Sequence, residues 1–243
     1  MPRFFVETGN IMEGSIVITG DDFHHMGRTL RMKCGEKVMV CGPDGMEYDC
    51  VIRSMDAQQA VLEIQAQAPS QSEPSLEVCV FQCVPKGDKM DTIVQKAVEL
   101  GAVCIVPVLS RNCVVKLDQK SGAKKAQRWQ RIAREAAGQC GRGRIPTVEQ
   151  PVSFDKALEM MRDYTCPVMF YEEERQRRLR EVLEEQPAQL AFLVGSEGGF
   201  TPQEAQQAAM CGIPAVSLGK RILRTETVAG AVLAVAMYAT GNM

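Results

Sequence analysis

The stretch LVGSEGGFTPQE, residues 193–204, combines three glycines, a central carboxylate and a helix start. Thr201, Pro202 and Glu204 match a capping box with proline in the first turn, so a helix is predicted to begin there. Such a glycine turn commonly holds phosphate, because backbone N–H groups and the helix dipole attract negative charge. Glu197 would repel a phosphate by roughly a few kcal/mol. The loop therefore favours a neutral or cationic ligand, unless it is a plain turn with a solvated carboxylate.

A second stretch, SLGKRILRTETVAG at residues 217–230, is also rich in residues that could form a site. It contains three basic side chains within five positions. Thr225 is predicted to cap the helix that follows, with Glu226 in the first turn. Ile222 and Leu223 would be apolar residues in an exposed loop unless the loop packs against something. The alternative is an ordinary connection with a charged surface.

A third stretch concentrates positive charge. Residues 86–144 carry 13 basic and 5 acidic side chains, a net +8 in a chain whose total is −2. A predicted basic helix runs into the loop GRGRIP, and arginine offers planar, bidentate contacts to phosphate. The sequence therefore predicts a nucleic-acid backbone as partner, although a solvated charged face would give a similar count. The residues concerned are Lys124, Lys125, Arg128, Arg131, Arg142 and Arg144.

Other chemistries have little support in the sequence. The ten cysteines are spread singly with no CxxC pair, and the only histidines are His24 and His25. No metal site is predicted, and the cysteines are interpreted as reduced thiols of a cytoplasmic protein. The N-terminal stretch has no long apolar run, and the most apolar segment, 228–239, is too short to span a bilayer. No membrane association is expected.

The elements that would position these loops fall into two regions. Up to about residue 65 the signals are short and β-like, as in SIVITG, KVMVCG, EYDCVIRS and AVLEIQ. DDFHHMGRTLRM is predicted to form one short helix with Asp21 or Asp22 as N-cap. This pattern predicts a compact β-barrel. The polar, proline-containing segment 65–75 is predicted to be a linker.

From residue 75 onward, strand and helix patterns alternate. LEVCVFQCV is a nearly continuous apolar run, typical of a strand buried on both faces. DKMDTIVQKAVELG follows as an amphipathic helix ending at Gly101. RQRRLREVLEEQ and TETVAGAVLAVAMYAT are also predicted helices, and CPVMFY, LAFLVG and IPAVSLG are predicted strands. Such alternation predicts an α/β domain with a mostly parallel sheet and helices on both faces.

The two C-terminal loops together resemble the signature loops of RsmE-type 16S rRNA methyltransferases of the SPOUT superfamily. EAAGQCGR, PRFFV and HHMGRTLRMKCGE resemble further elements of that family, so the likeness covers nearly the whole chain. The departures are small. Ser196 stands where proline is usual, Gly27 replaces an apolar residue, and Cys140 replaces a common serine. None removes a group expected to do chemistry.

The resemblance implies a two-domain organisation. Residues 1–70 would form a PUA-like RNA-binding barrel, and residues 75–243 a SPOUT α/β domain with a deep trefoil knot. It also implies a homodimer that binds S-adenosylmethionine and acts on 16S rRNA in the small ribosomal subunit. The methylated atom would be N3 of uridine 1498. Arg28 and Arg31 would join the basic helix in binding RNA.

The resemblance also assigns site residues by position. The cofactor pocket would be formed by two groups, with LSRN at 109–112 as a third loop on the cofactor side. The first group is Leu193, Val194, Gly195, Glu197, Gly198 and Gly199. The second is Ser217, Leu218, Gly219, Ile222, Leu223 and Arg224.

The chemistry of the implied reaction limits the catalytic candidates. Uracil N3 must lose its proton before or during attack on the methyl group, so a general base would help, as would a cation near O4 or O2. Arg221, Arg224 and Glu226 are the candidates by position. The remaining requirement is to hold two bound reactants in line.

Two other classes of function stay open from the sequence. A non-catalytic RNA-binding module would use the barrel and the basic helix, but it leaves both C-terminal loops unexplained. A nucleotide-dependent oxidoreductase on a Rossmann-like sheet would need a dinucleotide fingerprint, which is absent, and Glu197 opposes it.

Overall fold

A computed structural model describes all of residues 1–243, and the chain divides into two compact units. The first unit comprises residues 1–73 and 137–145, and the second comprises residues 74–136 and 146–243. The sequence places residues 137–145 in the second domain, whereas in the structure they belong to the first unit.

The first unit contains a six-stranded sheet. The strands are β1 (Arg3–Phe5), β2 (Ile11–Met12), β3 (Ser15–Thr19), β4 (Lys37–Cys41), β5 (Met46–Met55) and β6 (Gln59–Pro69). Their order in the sheet is β1-β4-β5-β6-β3-β2, with β1 parallel to β4 and the other neighbours antiparallel. The core of the unit is formed by alternate strand residues such as Ile16, Ile18, Val38 and Val40.

The helical part of this unit differs from the prediction. A 3-10 turn covers Thr8–Asn10, and α1 (Gly20–His24) continues into a π-helical turn at His25–Thr29. The N-cap of α1 is Thr19 rather than Asp21 or Asp22, because the helix already begins at Gly20. Local π-helical geometry of this kind is often found at functional sites.

The predicted linker is partly a strand. β6 extends to Pro69, which pairs with Met46 of β5, so the first half of segment 65–75 belongs to the sheet. Pairing with a long neighbouring strand outweighs the polar composition of this segment, since β propensity depends strongly on context.

The second unit contains a seven-stranded sheet in which every pairing is parallel. The strands are β7 (Glu77–Cys83), β8 (Cys104–Leu109), β9 (Thr147–Val148), β10 (Val152–Ser153), β11 (Cys166–Phe170), β12 (Gln189–Val194) and β13 (Ala215–Val216). Their order in the sheet is β10-β8-β7-β12-β11-β13, with β9 beside β8. The predicted parallel sheet is confirmed.

Six helices accompany this sheet. They are α2 (Lys89–Glu99), α3 (Gln119–Cys140), α4 (Phe154–Met161), α5 (Leu179–Leu183), α6 (Pro202–Met210) and α7 (Thr225–Ala239). No helix of the chain combines the length and the apolar character that a membrane span requires. The apolar face of α2 is buried as predicted, and Gly101 ends that segment with a φ of 92°. The sequence did not predict α4.

Three helix starts test the capping predictions. The capping box of Thr201 and Glu204 at α6 is confirmed. The cap predicted at Thr225 is wrong, because Thr225 is already helical and Arg224 is the N-cap of α7. α5 begins only at Leu179, so the arginines of RQRR precede the helix instead of lying within it.

Candidate functional site

A cavity of about 560 Å³ lies in the second unit where β11, β12 and β13 end. Three segments line it, 170–175, 194–199 and 216–228, together with Lys89 of α2. The carboxyl ends of parallel strands meet at one edge of a sheet, and ligands of open α/β sheets bind there. The volume is in the range of small-molecule sites.

Most residues predicted for cofactor binding line this cavity, as do the three catalytic candidates Arg221, Arg224 and Glu226. Leu193 does not, because its side chain is fully buried in the core. Gly198 faces away too, since its carbonyl accepts a hydrogen bond from Asn112 Nδ2 at 2.9 Å. The lining residues from the prediction are Val194, Gly195, Glu197, Gly199, Ser217, Leu218, Gly219, Ile222, Leu223 and Arg224.

Two glycines allow the loop after β12, residues 194–199, to turn back on itself, and we call it the first loop. Gly199 has a φ of 60°, and a Cβ at this position would collide with the carboxylate of Glu172. A Cβ on Gly195 would lie 3.2 Å from the Cα of Gly199. Larger side chains at these two positions would therefore force the loop away from Glu172 or from itself.

A buried hydrogen-bond network joins the first loop to the start of α7. Thr225 Oγ1 donates to the carbonyl oxygen of Gly195 at 2.6 Å. Gln82 Nε2, on a fully buried side chain of β7, donates to Thr225 Oγ1 at 3.0 Å. Two loops that are distant in sequence are thus held together beneath the cavity.

A charged bridge joins the same loops at the cavity wall. Lys89 Nζ lies 2.9 Å from Glu197 Oε1 and 3.3 Å from Glu226 Oε2. The backbone N–H of Lys86 also donates to the Glu197 carboxylate at 3.3 Å. Two carboxylates and one ammonium carry a net charge of −1, which complements a cationic group of a ligand.

These contacts determine the charge states in the bridge. Burial opposes ionisation of Glu197, but hydrogen bonds from Lys89 and Lys86 outweigh it, so the pKa of Glu197 lies below its ordinary value. A backbone hydrogen bond and Lys89 also lower the pKa of Glu226. The pKa of Lys89 is raised, first by its hydrogen bond to Glu197. All three groups are therefore charged at neutral pH.

Three arginines around the cavity are in a different state. Arg175, Arg221 and Arg224 line it, are exposed, and form no ion pair with a carboxylate. Arg175 comes from the segment after β11, and the other two come from the loop after β13. These side chains are available to an anionic ligand.

The predicted third loop, residues 109–112, supports the site from behind and does not line the cavity. Ser196 Oγ donates to the carbonyl of Asn112 at 3.4 Å, and Arg111 N donates to Glu204 Oε1 at 2.9 Å. The loop thus contacts both ends of the 196–204 segment.

Sequence reasoning missed the wall formed after β11 and the lysine of α2. CPVMFY was predicted as a strand, so the residues after it could have been placed at the same sheet edge as the two glycine loops. No motif marked Lys89. The missed lining residues are Lys89, Phe170, Tyr171, Glu172, Arg175, Ser196, Val216, Thr225 and Val228.

The residues predicted to bind RNA are placed unequally. Lys124, Arg128 and Arg131 are exposed on α3, although Arg128 is paired with Asp91. Lys125 is half-buried, with its Nζ 5.7 Å from the centre of the Trp129 ring. In the first unit Arg28 is exposed within the π-helical turn, and Arg31, exposed just after it, has a φ of 54°.

Arg142 is a correction to that prediction. Its side chain is 4% exposed and its guanidinium is bonded to the carboxylate of Glu73, with Nε 3.1 Å from Oε1. Glu73 also accepts from the backbone N–H of Gly143 at 2.9 Å. A guanidinium buried against this carboxylate is not available to phosphate. Arg144 is 53% exposed and 3.4 Å from Glu73.

Comparisons with known proteins identify the family to which the chain belongs. Residues 71–237 match the family model of the RNA methyltransferase domain, and residues 18–65 match that of the RNA methyltransferase PUA domain. A curated relative from Bacillus subtilis (strain 168), ribosomal RNA small subunit methyltransferase E, is 34% identical over 93% of this chain and 92% of its own length.

Two solved structures are also similar over 98% of this chain and 97% of their own. Ribosomal RNA small subunit methyltransferase E from Neisseria gonorrhoeae, bound to S-adenosyl methionine, has 33% identity and a TM-score of 0.87. A methyltransferase from Legionella pneumophila, in complex with the cofactor SAM, has 31% identity and the same TM-score.

The fold and the family models place the chain among the RNA methyltransferases. Within that class, it belongs to the ribosomal RNA small subunit methyltransferase E family. The resemblance inferred from the two loops is confirmed. The two alternatives, a non-catalytic RNA-binding module and a nucleotide-dependent oxidoreductase, are not favoured.

Proposed function

We propose that this protein uses S-adenosylmethionine to methylate N3 of a uridine in 16S rRNA of the small ribosomal subunit. The observation that carries the proposal is the cavity between the two glycine-containing loops, held together by Gln82 and Thr225. Its relatives from Neisseria gonorrhoeae and Legionella pneumophila hold this cofactor.

The residues of the cavity fit the cofactor chemically. Gly199 allows the Glu172 carboxylate to lie against the first loop at the cavity wall, and the apolar side chains of Val194, Leu218 and Leu223 offer a surface for a nucleoside. The bridge of Lys89, Glu197 and Glu226 has the net negative charge that complements a sulfonium. When bound, S-adenosylmethionine supplies an activated methyl group.

The protein's own groups define what it contributes to the reaction. Arg221 and Arg224 are unpaired cations that would stabilise negative charge on uracil O4 or O2 as N3 loses its proton. Glu226 is a weak base because its pKa is lowered, so we assign it to holding Lys89. The N3 proton would then pass to solvent.

The proposal extends to the parts of the chain outside the cavity. Residues 1–70 would bind RNA as a PUA-like barrel through Arg28 and Arg31, and residues 75–243 would form the catalytic domain with its trefoil knot. The exposed residues Lys124, Arg128 and Arg131 of α3 would contact RNA backbone. The protein would act in the cytoplasm.

We also propose a homodimer. The C-terminal half of α7 exposes apolar side chains, with Val235 at 47% and Tyr238 at 76% exposure. Burial of such a patch is the usual basis for association of a soluble protein. Sedimentation of the wild type and of Val235→Asp would test it, with a dimer expected only for the wild type.

The central experiment combines cofactor binding with modification mapping. Small subunits lacking the modification are incubated with the protein and labelled S-adenosylmethionine, and the rRNA is mapped by mass. We expect label at N3 of one uridine. Calorimetry with S-adenosylmethionine, NAD and ATP is run in parallel, and binding of NAD or ATP alone would refute the proposal.

A matched glycine pair tests whether the cavity is the cofactor site. Gly199→Ala introduces a side chain at positive φ and against Glu172, whereas Gly212→Ala is strained at a φ of 78° but meets nothing within 4 Å. We expect Gly199→Ala to lose at least about tenfold in cofactor affinity, roughly the cost of one disrupted contact. Equal losses in both variants would mean that backbone strain alone is responsible.

A further inference from the structure

Six exposed basic residues lie on two neighbouring segments that contribute to the cavity wall, and we call them the arginine rim. The rim has two sides, one before α5 and one after β13. The segment before α5 is not helical and lies against the loop after β13, residues 217–224, which we call the second loop. Ser217 N donates to Arg177 O at 2.9 Å, and Leu179 N donates to Ser217 O at 3.3 Å. The rim residues are Arg175, Arg177, Arg178, Lys220, Arg221 and Arg224.

All six side chains of the rim are exposed, and none forms an ion pair. Other arginines of the chain differ, since Arg180 is 3.4 Å from Glu184 and Arg142 is paired with Glu73. Of the three acidic residues that precede the rim, Glu172 lines the cavity and the other two are engaged locally. Glu174 accepts from the backbone N–H of Gln176 at 2.6 Å and of Arg177 at 3.1 Å. Glu173 accepts from the hydroxyl of Tyr171 at 3.0 Å.

We infer that the arginine rim binds the RNA strand that carries the target nucleotide: Arg221 and Arg224 face its base, and the other four rim residues bind its phosphate backbone. This inference rests on the proposed function. Three rim residues, Arg175, Arg221 and Arg224, also line the cavity, so bound phosphates would flank the nucleotide whose base enters it. Arginine suits this role because its planar guanidinium binds phosphate bidentately.

The two-sided shape of the rim explains why a strand fits better than a single small anion. A base that undergoes chemistry must leave its stack, and its backbone must be held while it does so. Residues 175–178 offer cations on one segment and residues 220–224 on the segment beside it. A single phosphate would leave most of these charges unused, whereas a strand would engage both sides.

The test uses a double variant outside the cavity, Arg177→Gln with Arg178→Gln. Neither side chain lines the cavity, and the hydrogen bonds to Ser217 use backbone atoms, so the wall is retained. We expect KM for the ribosomal substrate to rise about tenfold, with kcat and cofactor affinity within about twofold. The slope of log affinity against log salt for an rRNA fragment should fall by about 1.4 to 1.8.

The charge-matched control is Lys156→Gln with Arg162→Gln. Both residues are exposed at α4, and neither belongs to the cavity or the rim. KM and salt slope of this control should stay within experimental error of the wild type. If the control changes as much as the rim variant, or if the rim variant keeps the wild-type KM and salt slope, the inference is overturned.

Failure of the inference can be told apart from failure of the proposed function. RNA affinity is measured by fluorescence anisotropy on a labelled rRNA fragment, independently of methyl transfer. If the wild type binds cofactor but never labels rRNA, the proposed function fails while the anisotropy still decides the rim. If the wild type labels rRNA and the rim variant binds and reacts equally well, only the rim is refuted.

Discussion

Two loops of this molecule contain the same kinds of residue but differ in whether their arginines are buried and paired or exposed and unpaired. GRGR at 141–144 and KRILR at 220–224 are both short and basic, and each follows or contains a glycine turn. In the first unit Arg142 is buried against Glu73. In the second unit Arg221 and Arg224 are exposed, unpaired and directed to a cavity.

The difference is due to a carboxylate that local sequence does not reveal. Glu73 lies 69 positions before Arg142 and accepts hydrogen bonds from it and from the backbone of Gly143. Arg3 adds a further hydrogen bond to the carbonyl of Arg142 at 3.2 Å. Arginines between glycines therefore predict an anion, but the anion can be the protein's own side chain.

The largest effect should come from breaking the buried pair. Arg142→Ala leaves the Glu73 carboxylate, 10% exposed, without its main partner, and we expect the free energy of unfolding to fall by about 3–5 kcal/mol. Arg144→Ala, at a 53% exposed side chain, should cost no more than about 1 kcal/mol. Urea denaturation measures both, and a similar small loss in the two variants would contradict the distinction.

The exposed loop should respond in activity more than in stability. Arg221→Ala and Arg224→Ala remove no ion pair, so we expect the free energy of unfolding to change by less than about 0.5 kcal/mol. Single-turnover methyl transfer should fall roughly 100-fold, the typical cost of losing one charge-stabilising group. If Arg224→Ala loses cofactor binding but keeps its single-turnover rate, the assignment of Arg224 to the chemistry is wrong.

Acid should lower the free energy of unfolding by protonating carboxylates in both units, and this loss should be smallest near neutral pH. Burial opposes ionisation of Glu47, but hydrogen bonds from Arg3 and Ser70 outweigh it, and its pKa is lowered from 4.5, as is that of Glu197. A lowered pKa stabilises the fold above the ordinary value, and this contribution is lost as pH falls through the folded-state pKa. We therefore expect the Glu47 contribution, measured as the difference in stability between the wild type and Glu47→Gln, to be constant from pH 8 to about 5 and to decline below 4.5.

A calorimetric pH series checks this expectation. Glu47→Gln should decline less steeply below pH 4.5 than the wild type, because it lacks one of the titrating groups. A difference between the wild type and Glu47→Gln that shrinks already between pH 7 and 5 would contradict the lowered pKa of Glu47.

Local patterns in the sequence were sufficient for much of the second unit. The buried face of α2, the capping box of α6 and the parallel sheet follow from periodicity and capping residues that act over a few positions. The two glycine loops were also recognisable, since carboxyl ends of parallel strands meet. What could not be predicted depends on long-range partners.

Three particular failures show this dependence. The sequence predicts Thr225 as a helix cap, but its hydroxyl donates to the carbonyl of Gly195 and accepts a hydrogen bond from Gln82. These two partners lie at the ends of β12 and β7. Glu172 and Arg175 carry no motif and join the cavity only because β11 lies beside β12 and β13. The segment 65–69 looked like a linker but is recruited as a strand by β5.

The hydrogen bond between Thr225 and Gly195 has a consequence for biosynthesis. The first loop is made thirty residues before the threonine that holds it. Until α7 has been synthesised and has docked, that loop lacks its support and the cavity lacks one wall. A nascent chain would thus remain unable to bind cofactor for most of its translation. Ligand-dependent protection from proteolysis should appear only in stalled chains that expose α7 outside the ribosome.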